Sequence, residues 1–217
     1  MARTIWISGD THFGEAQAIT LFERPFADAP AMDAALIDAI NCVVKKRDVL
    51  IHIGDFCGPC ADGRDAQVAH AVNIRKQIMC KTIHLMRGNH DPKVAKFEAL
   101  FHSVKNQATF RRENGGERVV VCHYPLRAWR GQRSGAMHLY GHTHGALEEV
   151  GRSMDVGVDS WNYSPVQLSR ALDLLATRPM TPANSWVRRQ EIRHGVSCAL
   201  KDVFKSQGDT TADTRTP

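Results

Sequence analysis

Five short apolar runs in this sequence stop on the same kind of punctuation, a small cluster of Asp, Asn and His with glycine beside most of them. Ile5–Ile7 is followed by Asp10-Thr11-His12, Val49–Ile53 by Gly54-Asp55, and Ile83–Met86 by Gly88-Asn89-His90-Asp91. Val119–Cys122 runs into His123, and Met137–Tyr140 into Gly141-His142-Thr143-His144. Runs this short, rich in Val and Ile, read as buried strands. Between the first three lie helical patterns: Ala31–Val44, with apolar residues at 32, 36, 37, 40, 43 and 44, then Asp65–Met79 and Pro92–Phe101. Strand alternating with helix predicts a parallel sheet with right-handed crossovers. In such sheets ligands bind beyond the carboxyl ends of the strands. The alternation therefore predicts five polar clusters gathered along one edge.

The second half changes character. Thr109–Arg112 and Arg118–Cys122 flank Glu113-Asn114-Gly115-Gly116-Glu117, a hairpin pattern. Met154–Val158 reads as a further strand and Pro165–Thr177 as a helix. Apolar residues from Trp186 to Phe204 predict a C-terminal helix over about 184–205, with net charge +3 from five basic and two acidic side chains. Its basic face reads as solvated. Ser206 to Pro217 lacks apolar residues and reads as a disordered tail. The expected organisation is one domain over 1–205 and a tail over 206–217.

Composition sets outer limits. With 43% hydrophobic and 24% charged residues the chain is ordinary for a globular protein and unlike a disordered one. No run is long enough to span a membrane, and the apolar start is too short for a signal peptide, so the expected location is cytoplasmic. A net charge of +5 suits anionic partners, phosphate esters and nucleic acids among them. The spacing Cys57-Gly58-Pro59-Cys60 copies a redox motif. It lacks the helix start in a thioredoxin-like unit that lowers a thiol pKa, and reads as a tight turn.

Five of the eleven histidines (12, 90, 123, 142 and 144) fall in the strand-end clusters. A turn needs Gly or Asn; it does not need three imidazoles. Imidazole mixed with carboxylate suits Mn, Fe, Zn, Co or Ni. Seven candidate ligands exceed what one ion takes, and a carboxylate can bridge two, so the count points to two divalent ions. His52, His84 and His138 lie inside the strand runs and read as core or interface histidines. Trp129, Arg130, Arg133, Trp161 and Tyr163 follow ligand-bearing strands and are candidates to line a substrate pocket.

In order and rough spacing, Asp10-x-His12, Gly54-Asp55, Gly88-Asn89-His90-Asp91, His123 and Gly141-His142-Thr143-His144 resemble the calcineurin-like metallophosphoesterases, over about Trp6 to Tyr163. Arg24-Pro25-Phe26 and Asp155-Val156-Gly157-Val158-Asp159-Ser160-Trp161-Asn162-Tyr163 are similar to a small bacterial and phage branch. The resemblance implies an α/β fold, a layered α/β/β/α sandwich of two mixed sheets flanked by helices. It implies that Asp10, His12 and His144 hold one metal, that Asn89, His123 and His142 hold the other, and that Asp55 bridges them. It implies that His90 faces the phosphate or the leaving group and that Asp91 orients the His90 imidazole. Glu15 stands where branch relatives often carry His, so the resemblance gives it no role.

The implied chemistry is a phosphoesterase in which a hydroxide bridging two divalent ions, manganese before Fe, Zn, Co or Ni, attacks a phosphate mono- or diester in line. A phosphodiesterase for small-molecule or nucleotide substrates comes first, with Asn89, His90, Trp129, Arg130 and Trp161 as candidate substrate contacts. The alternatives are a metal-dependent nuclease and a non-catalytic metal-binding scaffold; relatives of the scaffold kind tend to lose His90 or a ligand. The serine/threonine protein phosphatases carry Gly-Asp-x-x-Asp-Arg-Gly and Gly-Asn-His-Glu. This chain departs from both at Phe56-Cys57-Gly58-Pro59-Cys60 and Asp91. Oligomeric state is left open.

Overall fold

The computed structural model describes residues 3–112 and 115–180. The expected C-terminal helix at about 184–205 and the tail at 206–217 lie outside the described residues. Strand β1 (Ile5–Ser8) leads through the short α1 (Ala16–Leu21) and α2 (Ala29–Val43) to β2 (Val49–His52). Next come α3 (Arg64–Gln77), β3 (Thr82–Met86), α4 (Ala95–Glu98) and β4 (Ser103–Lys105). Strands β5 (Gln107–Arg111), β6 (Arg118–Cys122), β7 (Met137–Tyr140), β8 (Ser153–Asp155) and β9 (Val166–Gln167) follow, then α5 (Leu168–Thr177).

Among the described residues the strands form two mixed sheets. The first runs in the order β4-β3-β2-β1-β9, with β1 to β4 parallel and β9 antiparallel to β1. The second runs β5-β6-β7-β8. There β5 and β6 form the expected hairpin with Arg111 opposite Arg118, while β6, β7 and β8 are parallel. Two mixed sheets flanked by helices are the arrangement the resemblance implied.

Alternation along each strand separates two cores. Leu50, Ile83 and Leu85 face α2 and α3, meeting Met32, Leu36, Ile37 and Ile40 from one helix and Val68, Ala71 and Ile74 from the other. Their neighbours Ile7, Ile53 and Met86 point the opposite way, toward Val119, Val121, Met137, Leu139 and Met154 of the second sheet. Helix α5 adds Leu168, Ala171, Leu172 and Leu175 to that inter-sheet core. Helix α2 starts cleanly because Asp28 accepts a hydrogen bond from the Ala31 amide and Pro30 sits in the first turn. Asp65 in the first turn of α3 and Arg75 and Lys76 in its last match the helix dipole.

The helix expected over Pro92–Phe101 shrinks to Ala95–Glu98, because the residues before it stay in the loop that follows β3. The helix expected over Pro165–Thr177 begins only at Leu168, since Val166 and Gln167 pair with β1. Of the strand expected over Met154–Val158, the β8 ladder takes up the start, and a 3-10 turn follows at Val158–Trp161.

Candidate metal centre

The parallel ladder does not stop where the strands do. The Asp10 amide donates to Gly54 O at 2.9 Å, His12 to Asp55 O at 2.9 Å and Phe13 to Phe56 O at 3.0 Å, zipping the loops after β1 and β2 together. Gly141 donates to His123 O across β6 and β7, and Val158 donates to Gly9 O, tying the second sheet's loops to the first. All five polar clusters thereby meet. One set of ligand atoms from Asp10, His12 and His144 lies within 4.8 Å of one another, and so does a second set from Asp55, His123 and His142. A third such set joins His12, Glu15 and His90.

The backbone is strained where these side chains leave it. Asp10, His12, Asp55, His142 and His144 all have φ between +48° and +70°, five of the eight non-glycine residues with positive φ among the described residues. Each such conformation costs about 1–3 kcal/mol and persists only where its surroundings over-determine it. Glycines make the required room. A Cβ on Gly54, itself at φ +82°, would lie 2.6 Å from the Gly88 amide and from His123 Nδ1; one on Gly88 would collide with the Asp55 carboxylate and amide.

Three imidazoles are held by the same device. His12 Nδ1 lies 2.6 Å from Glu15 Oε2, His144 Nδ1 lies 2.7 Å from Asp159 Oδ2, and His123 Nδ1 lies 2.9 Å from Ile53 O. Each partner is an acceptor, so each Nδ1 carries the proton and Nε2 is left with a lone pair. Those lone pairs converge on carboxylates. His123 Nε2 is 3.3 Å from Asp55 Oδ2 and 2.9 Å from Asn89 Oδ1, and His12 Nε2 is 3.6 Å from Asp55 Oδ2. Asp10 Oδ1 and His12 Nε2 are buried without a hydrogen-bond partner among the described residues. Acceptors crowded on acceptors need a cation between them. The donor set fits divalent ions of the Mn-to-Zn type.

Protonation reports the same demand. Burial opposes ionisation of Asp55, but the hydrogen bond and charge of His123 outweigh it and bring the carboxyl to about 2. Burial pushes His123 down, yet the hydrogen bond and charge of Asp55 and the charge of Asp10 lift it to about 9. Burial drives Asp10 well above the carboxylate range. It lowers His12 against the pull of Glu15 and Asp55, and lowers His142, helped by the charge of His123.

A buried network braces the Asp10 side. Arg24 grips Asp159 with Nε on Oδ1 and Nη2 on Oδ2, both at 2.8 Å. It also donates to Thr11 O at 2.9 Å and Asp10 O at 2.7 Å. Asp159 in turn holds His144, so one guanidinium fixes two ligand loops. Asp155 accepts from Thr143 Oγ1 and the Gly145 and Gly157 amides, shaping the turn that carries His142 and His144. Glu15, Arg24, Asp155 and Asp159 received no role from sequence. Only His12 and Glu15 share a local spacing; Arg24 and Asp159 are separated by 135 positions.

Other expected residues are placed differently. Asp91 does not touch the His90 ring. Its oxygens accept from the amides of Asp55, Phe56 and Gly88 at 2.8–3.0 Å, so it ties the β2 loop to the β3 loop. Burial raises its carboxyl to about 6 against those three amides. The Trp129 indole donates to Ala136 O and its ring lies against His138, whose chain neighbours Met137 and Leu139 face the inter-sheet core. Trp161 donates to Asp155 O and packs on that core, and Tyr163 sits edge-on to Phe26. Arg130 is exposed and makes no hydrogen bond or ion pair among the described residues. The backbone of His90 is clamped, its amide on Asp55 Oδ1 and its carbonyl on Gln67 Nε2, while its ring makes no hydrogen bond among the described residues. Cys57 and Cys60 are free thiols, Cys57 buried with its pKa raised by that burial.

The chain is 27% identical over 180 residues to the uncharacterized protein MJ1445 of Methanocaldococcus jannaschii, covering 80% of this chain and 92% of that one. The crystal structure of the protein of unknown function AQ665 from Aquifex aeolicus matches with a TM-score of 0.60 at 20% identity, covering 80% of this chain and all of that one, which shows a shared fold. Pseudomonas putida nuclease MPE matches with a TM-score of 0.44 at 21% identity, covering 65% of this chain and 62% of the nuclease. The family model for the calcineurin-like phosphoesterase superfamily domain matches residues 4–158, most of the chain, and the chain belongs to that superfamily.

Proposed function

We propose that this chain hydrolyses phosphate esters with two divalent cations, manganese before Fe, Zn, Co or Ni, and that phosphodiesters of small molecules or nucleotides are its substrates. The observation that carries the reading is the convergence of His12, His123 and His144, each with Nδ1 anchored, on Asp10 and Asp55. Asp10, His12 and His144 would hold one cation, Asn89, His123 and His142 the other, with Asp55 between them. Bound there, the cations supply a nucleophile at neutral pH and offset the charge that builds on the phosphoryl group.

The rest is done by the chain itself. Asp55 and Asp91 lock the loops after β2 and β3 together, which presents the His90 ring beside His12, 5.0 Å between centroids. With its ring making no hydrogen bond among the described residues, His90 is the candidate to give a proton or hydrogen bond to the leaving oxygen, help that is worth about 10²–10⁴-fold. The scaffold reading is disfavoured because the sequence retains His90 and all seven candidate ligand residues. No helix among the described residues is long and apolar enough to cross a membrane, and we place the protein in the cytoplasm.

The test is turnover of a chromogenic phosphodiester by protein supplied with Mn²⁺. His90→Ala should lose turnover and keep its metal, whereas Asp55→Asn should lose both. A metal-loaded chain inert toward a panel of mono-, di- and cyclic esters would instead support the scaffold.

A further inference from the structure

Among the described residues, the aromatic rings near the site are engaged by the fold except one. Phe22 lies flat on His144, centroids 3.4 Å apart at 10°, with the Arg24 guanidinium 5.5 Å from its centroid. Trp129 and Trp161 spend their indole N–H groups on backbone carbonyls. Tyr124 differs. It follows His123 directly and stands 4.6 Å from His142 and 4.9 Å from His123, ring centroid to centroid, at 67° and 71°. No ring lies parallel to it, its hydroxyl makes no hydrogen bond among the described residues, and it is 48% exposed. His142 beside it is exposed too, and Leu147, shortly past His144, is 46% exposed. Exposed apolar side chains thus follow two of the imidazole-bearing strand ends.

Resting on the phosphoesterase reading, we propose that Tyr124 determines specificity by stacking a planar ring of the ester, a nucleobase, while the phosphate lies at the imidazole cluster. A nucleotide carries its base one ribose away from the phosphate, and Tyr124 stands one ring away from two candidate ligands. Two tilted imidazole contacts fix the Tyr124 ring in advance, so little side-chain freedom is lost when a base arrives. Stacking of this kind tolerates any base, because each has a π-face.

The experiment is calorimetric titration of the Mn²⁺-loaded full chain with adenosine monophosphate and with ribose 5-phosphate, which share the phosphate and sugar and differ in the base. The wild type should bind the nucleotide about 5- to 150-fold more tightly, the range that base–aromatic stacking gives. In Tyr124→Ala that ratio should fall toward one, and in Tyr124→Phe it should persist, since the ring and not the hydroxyl does the stacking. Metal content of each variant, read alongside, shows that the cluster is intact. Repeating the pair of titrations with a short oligothymidylate and its abasic counterpart separates a nucleic-acid strand from a free nucleotide as the source of the base. Equal affinity for the two monoesters in the wild type, or a ratio that survives in Tyr124→Ala, overturns the assignment of Tyr124 and leaves the phosphoesterase reading standing. If neither ester nor inorganic phosphate binds the loaded chain, both readings fall.

Discussion

Replacing Asp159 by Asn probes how the Asp10 side of the centre is held. The side chains of Arg24 and Asp159 are 0% and 7% exposed, and Oδ2 of Asp159 receives both Arg24 Nη2 and His144 Nδ1 while Oδ1 receives Arg24 Nε. Every neighbour is a donor. An Asn can offer an oxygen to only one of the two positions, and its amide then faces a donor at the other, whichever way it turns. Keeping the oxygen at the Oδ2 position sacrifices one charge-assisted bond to Arg24, and the Arg24 charge is left without its counter-ion. Breaking such a buried pair costs about 3–5 kcal/mol, and loss of a carboxylate behind a metal-binding imidazole costs about 10- to 100-fold in metal affinity. Calorimetric Mn²⁺ titration and urea denaturation of wild type and Asp159→Asn read the two effects. The site of Asp10, His12 and His144 should weaken by that factor, and the other site, which His144 and Asp159 reach only through the shared Asp55, should weaken less. Equal weakening of both sites, or no change in either site or in stability, would refute the claim that Arg24 and Asp159 act through His144.

Further expectations follow from other contacts. Asp91→Asn should destabilise the metal-free chain by about 1–3 kcal/mol in urea, because one of three buried amides meets an N–H₂ group instead of an oxygen; lost turnover with unchanged stability would instead restore the imidazole-orienting role. Gly88→Ala should cost more than about 3 kcal/mol through its clash with Asp55, whereas Gly63→Ala, at φ +88° and ψ −175° with nothing within 4 Å, should cost about 1–3 kcal/mol from its backbone alone; a smaller loss at Gly88 than at Gly63 would show that the close approach is not tight. The hydrogen bond to Asp33 raises His70 above its ordinary 6.5, so its stabilisation is complete below that value and fades as pH rises past the raised one. The gap in melting temperature between wild type and His70→Gln should therefore shrink from about pH 6 to about pH 9, and a gap that holds constant would contradict the pairing.

What the sequence disclosed is what local pattern can carry. Strands β1, β2, β3, β6 and β7 are short apolar runs with a clear stop, and the ligand clusters sit at those stops, so both were legible together. His52 and His138 behave as the internal histidines expected: His52 shares Thr11 Oγ1, and His138 bridges Val120 O and the Leu126 amide. The edge strands β4 and β9 were missed because three and two residues show no period. The braces behind the ligands were missed for a different reason. Arg24 reaches Asp159 across 135 positions, and Asp91 turned out to serve backbone amides, which leave no trace in side-chain spacing. Which loop aromatic packs on the cluster is set by tertiary packing and not by spacing: Trp129 and Trp161 spend their indole N–H groups on backbone carbonyls, whereas Tyr124 lies against His123 and His142.

The central claim is that five strand-end loops gather two cations on one set of side chains. The direct measurement is the number of Mn²⁺ ions per chain in wild type and in Asp55→Ala, by native mass spectrometry. The account predicts two in the wild type and fewer than two in the variant, since Asp55 stands between the two sets. A wild-type chain that holds no ion, or a variant that still holds two, would contradict it.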